Sequence, residues 1–323
     1  MKATGVITLR DRFRGCLLGL AVGDAAGAPF EGLAAETIYR DFPPTNELVA
    51  NPPLDVLTYT DDTQMTLGVA ECLVADGRID PDRLMQHFAS NYEAGRGYGS
   101  GLRRILDAMT AQQEWKYLVE TLFPGGSFGN GAAMRVAPVG LLFHDDPDRL
   151  RQEARQSALA THLHPLGVDG AVVVATAVSI ALRESVLNSE AFYDELSKAA
   201  ETEEFQWQLR TARRMGRDNM MSFGSSLAAH RSVTTAITCF AMWPDSYENT
   251  ISRAITMGDD TDTLAAIAGA LSGARLGVQG IPQQLLNILE NGPKGRDYIV
   301  QVADNLYARW SDSTTRVGSG QTQ

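Results

Sequence analysis

A chain of 323 residues, 44% hydrophobic and 21% charged, is long enough for a large buried core and too apolar for a disordered polymer. Its net charge of -11 disfavours nonspecific binding to nucleic acid or an acidic membrane, whose phosphates it would repel. Cys16, Cys72 and Cys239 are too scattered for a disulfide framework or a zinc site. They sit in apolar runs and read as buried thiols in a reducing compartment. The opening MKATGVITLRDRFRG lacks the apolar core of a secretion signal, so a cytoplasmic location is expected.

Helical periodicity begins at once. Phe13, Leu17, Leu20 and Ala21 share a face, while Gly15, Gly19 and Gly23 form a row along which a second helix could approach closely. Helical patterns continue over 65–73, 84–92, 102–109, 150–159, 168–182 and 192–199. More follow over 233–243, 247–255, 263–276, 285–289 and 298–310. The apolar run at 171–182 reads as too short to span a bilayer. Only DVLTYT, at 55–60, has the pattern of a short strand.

Clusters of Gly, Pro and Asn at 43–53, 95–101 and 124–131 read as loops, where sites on a helical scaffold tend to lie. No repeat and no linker interrupts the pattern. It predicts an all-α fold, a compact single-domain helical bundle over residues 10–310, followed by a polar, disordered tail over 311–323.

Two acidic stretches stand out. TYTDDTQMT places Asp61 and Asp62 between Thr60 and Thr63, just ahead of a helical pattern. MGDDTDTLA repeats the arrangement with Asp259, Asp260, Asp262 and Thr263. A helix cap uses one acidic side chain, which leaves the others unexplained. Crowded carboxylates repel unless a cation lies among them, and hard divalent cations prefer oxygen donors such as Asp and Thr. From composition alone, one shared metal site and two separate solvated caps stand as equal alternatives.

FRGCLLGLAVGDAAGAPFE, YTDDTQMT, GSFGNGAAMR and GDDTDTLAAIAGALSGA occur in the order and relative spacing of the ADP-ribosylglycohydrolase family, which this chain resembles from Arg12 to about Gly277. The resemblance implies an orthogonal helical bundle with two divalent cations, Mg or Mn, in a central cleft. By position it implies Thr60, Asp61, Asp62, Asp260, Asp262 and Thr263 as metal ligands. Glu31 matches the acid that reaches the metal centre or the attacking water.

The implied activity is metal-dependent cleavage of the N- or O-glycosidic bond between ADP-ribose and an acceptor, with arginine-linked ADP-ribose slightly favoured. Such a bond breaks through an oxocarbenium-like state, commonly with carboxylates, and Glu31 or Asp62 is the catalytic base. The partners would be an ADP-ribosylated protein or other acceptor and the product ADP-ribose, with no membrane.

For substrate binding, the glycine loop suits a phosphate cradle, with Ser127, Phe128, Gly129, Asn130 and Gly131 as lining candidates. Arg135 reads as a structural partner. Tyr98, in GRGYGSG, lines the entrance or is an exposed turn aromatic. His162 matches the residue near the adenosine half, or caps a buried helix. Asp259 stands where the family often has glycine or asparagine, and reads as a cap, a group behind the ligands or a selectivity element. Two rival functions are a metal-dependent phosphohydrolase and an inactive ADP-ribose-binding protein.

Overall fold

The glycine row of the first helix sets the central contact of the fold. In the computed structural model, which describes residues 7–42, 47, 49, 54–111, 114–215 and 223–319 (315–319 by backbone alone), this helix is Leu9–Gly27, capped by the Thr8 hydroxyl, which accepts from the Asp11 amide. It lies antiparallel to the helix Thr261–Leu276. Gly15 meets Gly273, Gly19 meets Gly269, Gly23 meets Ala265 and Gly27 meets Thr261. At each of the four, an added Cβ would overlap the partner's backbone carbonyl. Glycine is therefore required by backbone-to-backbone approach, despite its cost within a helix.

Among the described residues, seventeen α-helices make the bundle and no strand occurs. DVLTYT forms one parallel bridge, Leu57 to Leu289, instead of a strand. The reason is local: the Leu57 amide donates to Ile288 O, and by Thr60 the chain has already become a helix cap. The loop expected at 124–131 ends in a short helix, Gly131–Met134, and most of that expected at 43–53 lies outside the described residues.

The helix Pro165–Arg183 begins earlier than its apolar run and reaches 19 residues, long and apolar enough to cross a membrane. It is instead enclosed by protein, with 83% of its most apolar window buried. The last helix, Arg296–Ser319, corrects the expected start of the tail, since it runs on through 311–319. No proline interrupts it, and Trp310 anchors its middle against Phe13 and His144. Arg10 and Arg14 both grip Asp304 on this helix, and the two guanidiniums hold that carboxyl far below the usual range.

Candidate active site

Two helix N-termini meet where the glycine row ends. The helix Asp61–Asp76 is capped by Thr60, whose hydroxyl accepts from the Asp62 amide at 3.3 Å. The helix Thr261–Leu276 has Asp260 at its cap position, but that side chain makes no capping bond. Neither end therefore uses a carboxylate as its cap, and the separate-caps explanation fails.

Close packing brings the acids together. The Thr261 hydroxyl donates to Gly27 O at 2.9 Å, which delivers the following turn, Ala28–Phe30, to the start of the second helix. There the carboxylate oxygens of Glu31, Asp260 and Asp262 lie within 4.8 Å of one another. The first cluster is tied in by the Thr263 hydroxyl, which donates to Asp62 Oδ2 at 3.5 Å. Asp62 is buried, and its Oδ1 has no hydrogen-bond partner. A buried carboxylate oxygen without a donor is costly, and a cation is the natural group to satisfy it.

One residue of this centre escaped the sequence reading. Asp24, fully buried on the first helix, accepts from the Thr60 amide at 3.0 Å, the Thr63 amide at 3.0 Å and the Thr63 hydroxyl at 2.5 Å. It holds the first turn of the Asp61 helix in place from behind. A lone acid in LGLAVGDAAG was its only signal.

Asp24, Glu31, Asp61, Asp62, Asp260 and Asp262 all hold their protons more tightly than usual, chiefly through burial. Asp24 is pushed up to about 7 by burial, against the opposing hydrogen bonds from Thr63 and Thr60 and with repulsion from Asp262. Asp262 also rises to about 7, through burial and then Asp260. No ion pair among the described residues involves any of the six. Oxygen donors, mutual repulsion and the unmatched Asp62 Oδ1 together fit a hard divalent cation.

The glycine loop reaches this centre through Asn130. Its side-chain amide donates to Asp260 Oδ2 at 2.5 Å and to Ser232 Oγ at 3.0 Å, so it faces the acids rather than the loop's open side. Ser127 and Gly129 are half-buried, and Phe128 is exposed beside His164, with ring centroids 5.8 Å apart. His162 lies under the loop: a Cβ on Gly131 would come within 3.1 Å of its ring. Burial, and then Arg135, lowers its pKa to about 3, so it is neutral. The helix cap is His164, whose ring accepts from the Leu166 amide. Arg135 is fully buried and donates to Ser157 O and the Thr161 hydroxyl, both at 2.8 Å, while the Thr161 hydroxyl also bonds His162 Nδ1.

Two expectations need correction. Tyr98 is neither an entrance residue nor an exposed aromatic. It is buried, because its hydroxyl donates to Gln64 Oε1 at 2.7 Å and its ring packs edge-on against Tyr92. Its loop still touches the centre, since the Arg96 carbonyl accepts from the Asp61 amide at 2.6 Å. Asp259 does not cap the helix either. It is the one non-glycine residue with positive φ, at 56°, among those described. Glycine, asparagine and aspartate tolerate that left-handed conformation best, so aspartate suits this turn.

The family model described as ADP-ribosylglycohydrolase matches residues 6–315. The ADP-ribosylhydrolase ARH3 of Danio rerio is 32% identical, with 85% of each chain covered. The ADP-ribosyl-[dinitrogen reductase] glycohydrolase of Rhodospirillum rubrum is 26% identical, covering 88% of this chain and 92% of that one. A solved structure described as an ADP-ribosylglycohydrolase-related protein complex superposes with a TM-score of 0.73 at 28% identity, covering 94% of this chain and 99% of that one.

Proposed function

The chain belongs to the ADP-ribosylglycohydrolase family, and we propose that it hydrolyses the glycosidic bond joining ADP-ribose to an acceptor, using two divalent cations, Mg or Mn. The observation that carries the metal reading is the buried, unpartnered Asp62 Oδ1 beside the converging Glu31, Asp260 and Asp262. Thr60, Asp61, Asp62, Asp260, Asp262 and Thr263 would hold the cations. Bound there, the cations supply positive charge to grip ribose hydroxyls and activate water.

The remaining chemistry falls to side chains of this chain. Glu31 is the exposed acid of the converging group, with its carboxyl raised by partial desolvation and then by Asp262. That environment suits a general base: Glu31 takes a proton from the water that attacks the anomeric carbon, and the proton passes to the departing acceptor. Asp62, buried and facing Thr263, is better suited to holding charge than to meeting water. The surrounding carboxylates favour the positive charge that develops on the ribose ring. The stretch Ser127–Gly131 is proposed to receive the diphosphate, with His162 and Arg135 fixing its floor. Three free, buried thiols support a reducing, cytoplasmic setting.

The test is incubation with Mg or Mn, and with chelator, against arginine-linked and serine-linked ADP-ribose peptides. Release of intact ADP-ribose, lost on chelation and restored by metal, is the expected result. Inorganic phosphate as the product would favour the phosphohydrolase. ADP-ribose binding without turnover on any linkage would favour an inactive binding protein.

A further inference from the structure

Asp259 joins three segments of the chain. Its amide donates to Leu33 O at 2.8 Å and its carbonyl accepts from the Gly32 amide at 2.7 Å, closing a two-bond ring between its own turn and the residues after Glu31. Its Oδ2 accepts from the Ser225 hydroxyl at 3.0 Å. Ser225 in turn accepts, through its carbonyl, from the Asp260 amide at 3.3 Å, and its hydroxyl also reaches Met257 O at 3.1 Å. Glu31 is one residue from the ring on one side, and Asp260 is one residue from it on the other. Gly258 completes the turn with φ of 74°, and a Cβ there would strike Leu33–Ala35.

The ring therefore sets how far the Glu31 carboxylate stands from those of Asp260 and Asp262. A glycine at 259 would keep the left-handed backbone but leave the Ser225 hydroxyl without this acceptor. We infer that Asp259 is a positioning residue: through Ser225 its carboxylate oxygen fixes the turn that spaces Glu31 from Asp260, and so tunes divalent-cation binding without touching the cation. Asparagine presents an oxygen of the same reach and tolerates the same φ, so the function needs the acceptor and not the charge.

This inference rests on the metal reading above, and calorimetry of the intact protein with Mn keeps the two apart. Wild type that binds no Mn sinks the metal reading, and this inference with it, before any variant is made. With binding established, Asp259→Gly and Ser225→Ala should each weaken Mn affinity about tenfold, the scale seen when a group behind a ligand is lost. The double variant should lose no more than Ser225→Ala alone, because that change already removes the Asp259–Ser225 link, along with the bond to Met257 O. Asp259→Asn should retain most of the affinity, and all four variants should keep the wild-type helical circular dichroism. In turnover assays across a metal titration, the shift should appear in the metal midpoint while the KM for the ADP-ribosylated peptide stays put. Equal losses in Asp259→Asn and Asp259→Gly would make the charge decisive and overturn the inference. Unchanged affinity in Asp259→Gly and Ser225→Ala would do the same, and so would fully additive losses in the double variant.

Discussion

Removing the metal should make the protein less stable as pH rises through neutrality, opposite to the usual carboxylate behaviour. Asp24 and Asp262 move from an ordinary 3.8 to about 7. A raised carboxyl binds its proton more tightly in the folded state, so its stabilising contribution is full below 3.8 and is lost as pH climbs through 7. His144, His162 and His230, lowered by burial, work the other way, and since each is still half protonated in the unfolded chain at its ordinary 6.5, they offset part of the fall. Carboxyls held down by arginine, such as Asp304, are fully ionised well below that. Comparing chelator with saturating Mg over about pH 6.5 to 8 cancels the histidine contribution and isolates the acidic centre. Across this window, linkage gives the two groups together a loss on the order of 1–2 kcal/mol. In a chain of this size that is a fall of roughly 2–4 °C in melting temperature. The assay is thermal unfolding in chelator over this window, repeated with saturating Mg. Added Mg should remove the fall, because the cation replaces the protons and binds the folded state. A chelator curve that runs parallel to the Mg curve would refute the argument, since it would mean the centre carries no displaceable protons.

Further outcomes follow from the same geometry. Glu31→Gln should lower kcat about 10²–10⁴-fold while ADP-ribose still binds by calorimetry; near-normal turnover would return Glu31 to an ordinary loop acid. Asp24→Asn keeps the volume but cannot match the donors from Thr60 and Thr63, so the Mg-loaded protein should lose about 1–3 kcal/mol in denaturant titration, together with metal affinity. Gly23→Ala drives a methyl into the Ala265 carbonyl and should cost about 1–3 kcal/mol with a measurable drop in Mn affinity. Loss of stability with unchanged Mn affinity would show that the helix pair does not set the metal centre.

Much of this arrangement was legible because it depends on local rules. The glycine row was visible as a spacing of four, and the structure shows its partner to be another small-residue run, Ala265–Gly269–Gly273, in the helix that carries the second acidic cluster. What local rules could not supply was which distant groups fill a given side chain's bonding capacity. Tyr98 reads from its glycine loop as an entrance residue or an exposed turn aromatic, yet Gln64 of the Asp61 helix and Tyr92, just past the helix that ends at Asn91, close over it. Asp24, a lone acid in an apolar helix, acquires a role only through Thr60 and Thr63, donors far along the chain.

Asp259 shows why counting acids is a poor guide to a metal centre. In the sequence it is indistinguishable from Asp260, its neighbour. In the structure the positive φ turns it outward to Ser225, while Asp260 turns inward to Asn130, Glu31 and Asp262. Burial then separates them chemically: Asp260 is desolvated and its carboxyl raised, whereas Asp259 is exposed. A ligand carboxylate needs both features, an inward backbone and removal from water, so that the cation becomes its best available partner. Asp260 and Asp262 meet both conditions and Asp259 meets neither. The stretch GDDTDT therefore contributes two candidate ligands and one residue that holds their turn.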